Sequence, residues 1–213
     1  MRKKHFLIFA LFAALLLIFF WKLAILQNSF LSGDHREQQY PWAKFYQEQI
    51  RNFTLPWWTS DIHSGFPILA EGQIGAFYPL NYLFFLLLPA KAAYNYLILF
   101  QYWLGAVLFF LYLRRLKLSL FPSFFAAVIY LFGSTQGGYF YYNYISQKTV
   151  IWLPLTLLLI DRLEENKKWQ DAFWLAAVFA VQIFAGYLQV AVYSVLFSIL
   201  YFIGLFYFHR QAY

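Results

Sequence analysis

Five carboxylates, Asp34, Glu37, Glu48, Asp61 and Glu71, fall within residues 27–77, and His35, Arg36, Lys44, Arg51 and His63 are interleaved with them. A carboxylate held in a poorly hydrated place can accept a proton from a hydroxyl nucleophile, and guanidinium, ammonium and imidazolium groups can hold an anionic leaving group. Asp34 has two readings. It can act as such a base, or with Glu37 three residues later it can form a capping box that merely starts a helix. Asp61-Ile62-His63 sets a carboxylate and an imidazole two residues apart, a spacing that can share a metal or relay a proton. A metal needs three or more ligands, and Glu71 is the one further acid nearby, so a solvated loop pair is the better account. With no Asp-x-Asp pair anywhere, no metal or other cofactor is expected.

What must position these groups is almost entirely hydrocarbon. The chain of 213 residues is 62% hydrophobic and 12% charged, too apolar for a soluble domain, and its apolar runs reach the ~20 residues that a helix needs to cross a bilayer. Unbroken runs exclude a transmembrane barrel, whose strands alternate in polarity. The expected fold is therefore all-α: one transmembrane domain over 1–213, a bundle of about six spans. Zero cysteines remove disulfides and thiolate sites. The net charge of +7 is not gathered on one face, as nucleic-acid binding would need, but sits at the ends of apolar runs.

The expected spans are 6–26, 92–113, 119–135, 148–161, 172–187 and 189–208, the last two divided at Gly186. Residues 78–89, bounded by Pro79 and Pro89, are too short to cross and are expected at the interface or as a re-entrant leg. Arg2, Lys3, Lys4, Arg114, Arg115, Lys117, Arg162, Lys167, Lys168 and Arg210 then share one side, which the positive-inside rule makes cytoplasmic, with the N-terminus there. The N-terminal run exceeds a usual signal core and is followed by no clear cleavage site, so an uncleaved anchor is expected. The opposite side receives residues 27–77, 134–147 and the Gly186 bend; the mixed-charge stretch 161–171 reads as a solvated hairpin on the cytoplasmic side. Within the long outer loop, Trp42, Phe45, Tyr46, Gln49, Ile50 and Phe53 repeat at helical spacing behind Pro41, describing an amphipathic surface helix.

Several pieces taken together carry a family likeness: Gly33-Asp34 after a basic-flanked span, Gln39-Tyr40-Pro41, Leu55-Pro56-Trp57-Trp58, Gly65-Phe66-Pro67, Gln73-Ile74-Gly75-Ala76-Phe77-Tyr78-Pro79-Leu80, and Ala185-Gly186-Tyr187-Leu188-Gln189. In these the chain resembles the N-terminal portion of the YfhO-like bacterial membrane proteins, of the GT-C class of polytopic glycosyltransferases, whose members are several times longer. The resemblance implies transfer of a sugar from a polyprenyl-phosphate donor to a lipid or polymer acceptor of the cell envelope, at the outer face of the membrane. It puts Asp34 in the place of the class's first-loop acid, a base or metal ligand. His35, Arg36, Lys44, Arg51, His63 and Lys148 are the outer-side cations available to the leaving phosphate, with Asp61, Gln73 and Gln189 further candidates for substrate contact.

A non-catalytic polytopic protein, either a transporter subunit or an assembly partner, is the reading from another class. Ion-coupled transporters place ionisable residues at mid-membrane, and these spans hold almost none apart from Lys22.

Overall fold

A computed structural model describes residues 2–25, 33–133 and 144–211, with side chains from 5 to 207 within those segments. The regular elements of the described chain are all helices, apart from one isolated antiparallel bridge between Thr59 and Phe66. Helix α1 (Arg2–Phe19) is followed by a single turn, α2 (Trp21–Ala24). A π-helical turn, His35–Gln39, runs directly into α3 (Tyr40–Arg51), and the short helices α4 (Ile68–Glu71) and α5 (Pro79–Leu87) complete the long connection. The remaining helices are α6 (Ala90–Arg115), α7 (Leu120–Phe132), α8 (Tyr144–Val150), α9 (Leu153–Asn166), α10 (Trp169–Phe184) and α11 (Leu188–Gln211).

The breaks follow from local chemistry. Pro154 cannot donate the bond that would join α8 smoothly to α9, and the chain turns at Ile151 and Trp152. Lys167 closes α9 in a left-handed conformation. Pro41 and Pro79 occupy the first turns of α3 and α5, where a missing N–H costs nothing.

Helix α6 is the axis around which the others pack. Its Tyr94, Leu97, Ala106 and Phe110 are fully buried, and α1, α5, α7 and α9 lie against it. Phe12 of α1 meets Phe110 edge-on at 6.1 Å and stacks on Phe124 of α7 at 5.4 Å, while the Trp103 indole donates to the Phe9 carbonyl at 2.9 Å. Such rings replace directional polar contacts with large apolar area in a chain that has few polar groups to spend.

Long helices run alternately between two ends. At one end, His35 and Tyr94 meet Tyr144, and Phe77 meets Phe184. At the other, Arg115 pairs with Glu165, Arg162 with Asp171, and Tyr201 donates to Asp161. The basic residues Arg114, Arg115, Lys117, Arg162, Lys167 and Lys168 all border this second end. Helices α6 and α11 are long and apolar enough to cross a membrane by length and composition; α1, α7 and α10 are apolar but shorter, the expected 119–135 span shrinking to the 13 residues of α7. Leu196, Phe197, Leu200 and Ile203 of α11 stand exposed, a surface suited to hydrocarbon and costly in water.

The stretch 161–171 is the exposed turn between α9 and α10, as expected, apart from the carboxylates at its two ends. Asp171 is 1% exposed and its carboxylate lies 2.8 Å from Arg162 Nη2, while Asp161 accepts from Tyr201 at 2.7 Å. The charges there stitch α9 to α10 and α11.

Candidate functional site

The amphipathic spacing behind Pro41 gives α3, and of the two partners expected for its apolar face, lipid or the helical bundle, the inner face rests on the bundle. Tyr46, Gln47 and Ile50 are buried against α5 and α6. Gln47 donates to the carbonyls of Phe85 and Leu88 at 2.7 Å each, and Arg51 reaches the same two oxygens at 3.2 and 2.8 Å. Those carbonyls end α5 and have no helical partner, so Arg51 spends its guanidinium as a C-terminal cap.

Between α3 and the start of α5, the segment 72–78 folds inward. Asn81 donates to the carbonyls of Ile74 and Gly75 at 3.0 and 2.8 Å, and the Tyr46 hydroxyl donates to the Ala76 carbonyl at 3.2 Å. Trp152, at the break between α8 and α9, donates to the Tyr78 hydroxyl at 3.2 Å. Gly75 and Gly186 both have positive φ and both sit where a side chain has no room. A β-carbon at Gly75 would lie 2.9 Å from Lys148 Nζ, and one at Gly186 would lie 2.5 Å from the Gly72 carbonyl oxygen.

These pieces enclose a small cleft of about 20 Å³, room for one or two water molecules, lined by Gln39, Trp42, Gln73, Asn81, Tyr144 and Lys148 among others. Lys148 is 2% exposed and its ammonium nitrogen lies 5.0 Å from the ring centroid of Tyr144 and 5.9 Å from that of Tyr78. Burying an ammonium is expensive, and two aromatic faces recover part of the cost. Glu71 is half-buried beside it. Burial pushes the Glu71 carboxyl above the ordinary carboxylate range, against the Gln73 N–H, which donates to Oε2 at 2.9 Å, and the Lys148 charge, which both pull it down.

The predicted residues distribute unevenly about this cleft. Gln73 lines it. Asp34 stands exposed and makes no capping hydrogen bond, in the same helical run whose Gln39 lines the cleft. His35 is buried behind it, with Nδ1 2.6 Å from the Tyr94 hydroxyl, which donates on to Gln39 Oε1 at 3.3 Å. Arg36 is exposed and pairs with Glu37, and Lys44 with Glu48. Asp61 and His63 are both exposed on a turn in which the Asp61 N–H donates to Thr59 Oγ1, and His63 takes a left-handed conformation. Gln189 is separate: it donates to Tyr193 at 2.9 Å and faces an apolar groove with Val150, Leu153 and Phe197. Of the stretch 134–147 expected on the outer side, residues 134–143 lie outside the described residues. Among the described residues no group of three His, Asp or Glu side chains could hold a metal ion.

Sequence reasoning counted Lys148 among the outer cations but gave no reason to prefer it, and it gave Asn81 no role. The usable signal was Gln147-Lys148 itself: two strongly polar side chains just ahead of the apolar run 150–160.

Comparison of the chain with protein-family models, with characterised proteins and with solved structures gives no match in any of the three. The fold and the cleft therefore define an all-helical, apolar chain with membrane-spanning capacity and a polar, cationic recess at one end.

Proposed function

We propose that this chain is a multi-pass protein of the bacterial cytoplasmic membrane, of the GT-C type or the N-terminal part of such an enzyme, with six spans and a cytoplasmic N-terminus. It transfers a sugar from a polyprenyl-phosphate donor to a cell-envelope acceptor at the outer face. The observation that carries this reading is the meeting of three chain-distant pieces, 71–81, 144–148 and 185–186, around one polar cleft at the end of the molecule opposite to Arg114, Arg115 and Arg162. The basic end marks the cytoplasm by the positive-inside rule, which turns the cleft outward, where lipid-linked donors are presented and nucleotide sugars are absent.

In the proposed step the acceptor hydroxyl gives its proton to the Asp34 carboxylate. Its oxygen bonds to the anomeric carbon, and the bond from that carbon to the phosphate oxygen breaks, its electron pair leaving with the polyprenyl phosphate. Gln39, Gln73 and Asn81 offer amides to sugar hydroxyls, and Trp42 and Tyr144 offer ring faces.

Transfer of labelled sugar from a polyprenyl-phosphate donor by purified protein tests this. Asp34→Asn is expected to lower transfer by about 10²–10⁴-fold. Unchanged transfer in that variant removes Asp34 from the chemistry, and no transfer by the intact chain favours the non-catalytic assembly partner.

A further inference from the structure

Phe53 carries two costs at one residue. Its side chain is 98% exposed, and its backbone is left-handed with φ at +56°, a conformation that bulky side chains seldom adopt. Its place in the fold is set by Arg51, whose guanidinium bonds to the Leu88 carbonyl bring the end of α3 to the end of α5. The Phe53 N–H donates back to the Ile50 carbonyl at 3.1 Å, a tight turn that keeps the residue at this junction. Helix α5 is divided lengthwise there. Asn81 and Phe85 are buried in the protein, while Leu83, Leu86 and Leu87 are exposed, the last at 72%. Spacings of three and four residues put these leucines on one face. The corner leads through Pro89 straight into α6, a helix long and apolar enough to cross a membrane, and the cations Arg51 and Lys91 stand exposed beside it.

We propose that Phe53 and the leucine face of α5 form a wedge set into the hydrocarbon of the leaflet at the recess end, with Arg51 and Lys91 at the level of the lipid phosphates. Hydrocarbon is the occupant that the corner's place in the chain selects, since Leu87 lies three residues ahead of Ala90, where α6 begins. The 26 residues of α6, at ~1.5 Å each, exceed the ~30 Å hydrocarbon layer, so its first turn and the corner joined to it stand at the interface. Two exposed cations flanking an apolar face complement lipid phosphates above hydrocarbon, with their stems along the apolar surface. Burial of the Phe53 ring in lipid offsets the strain of the turn that presents it. The wedge ties the outer connection to the leaflet and so fixes the depth at which the recess stands. It rests on the multi-pass reading for the bilayer itself and is independent of sugar transfer.

The chain contains no cysteine, so a nitroxide on one introduced thiol reports one site. The full chain, reconstituted in phosphatidylcholine–phosphatidylglycerol vesicles, is labelled at Phe53→Cys, at Leu87→Cys, at Ser60→Cys on the exposed turn, and at Leu200→Cys on the exposed face of α11. Power saturation then compares collisions with oxygen, which enters hydrocarbon, and with a polar nickel chelate, which does not. At 53 and 87 the nickel collision rate is expected to fall on the order of tenfold below that at 60, with oxygen collisions as frequent as at 200. Nickel access at 53 equal to that at 60 overturns the proposal. Exclusion of both reagents at 53 overturns it as well, because protein and not lipid then covers the corner. Should Phe53→Cys fail to fold, the same outcomes at 87 decide. A label at 200 in hydrocarbon with 53 in water removes the wedge alone, whereas water at both sites removes the multi-pass reading with it.

Discussion

Gly186 packs against the backbone of Gly72, so closely that a β-carbon at 186 would stand 2.5 Å from the Gly72 carbonyl oxygen. With φ at +99° the position is also one that other residues adopt only under strain. The contact closes the bend between α10 and α11 onto the inward-folded segment that carries Gln73 and Gly75.

Gly186→Ala is therefore expected to destabilise the protein by about 2–4 kcal/mol, combining backbone strain with a clash against backbone that cannot rotate away. Gly204→Ala, inside α11 with nothing near the added carbon, is the control and is expected to be neutral or stabilising. Thermal melts of the two variants in the same detergent measure the difference, and equal melting temperatures would contradict the packing described.

The pair Gln47 and Arg51 makes a second prediction. Gln47 is 6% exposed and serves two carbonyls that Arg51 also reaches, so Gln47→Leu leaves each with one donor in place of two, at about 0.5–1.5 kcal/mol. Arg51→Ala, at a solvent-exposed position, is expected to cost less than that, and to loosen the end of α5. Chemical unfolding of the two variants reads the order of the losses, and hydrogen exchange of the last turn of α5 reads the loosening.

At the opposite end, Arg162→Ala strands the buried Asp171 carboxylate. The expected loss is about 1–3 kcal/mol, since the buried carboxylate loses its partner while the half-exposed Arg162 side chain gives up little packing. Asp171→Asn removes the charge along with its need for a partner, so the double variant is expected to recover much of the stability. A double-mutant cycle on chemical unfolding checks this, and simple additivity of the two losses would refute it.

The Glu71 carboxyl gives a pH prediction. Its native pKa is raised above the ordinary 4.5, so between those two values the folded chain holds a proton that the unfolded chain has lost. The stabilising contribution is present in full below pH 4.5 and is lost as pH rises through the native value. Stability of the native chain relative to Glu71→Gln should accordingly decline from about pH 4.5 upward, and a difference that is flat or rises with pH would reverse the sign assigned to burial.

Much of the architecture was legible in the chain itself. Hydrocarbon runs bounded by Arg and Lys gave the long helices, Pro41 and Pro79 gave the starts of α3 and α5, and Gly186 gave the bend, because each depends on chemistry within a few residues of itself. Composition and periodicity likewise sufficed for an all-helical chain with two helices able to cross a membrane. The partners of the polar side chains were not legible. Arg51 and Arg36 looked alike as cations, and only the fold sends one to the end of α5 and leaves the other beside Glu37. Lys148 looked like a helix-end lysine among several, and only the tertiary structure buries it, by bringing segments 71–81 and 185–186 across the head of α8. Helical periodicity is local and is written into neighbouring residues; the environment of a buried charge is set by groups that meet from distant parts of the chain, and no spacing along the sequence encodes that meeting.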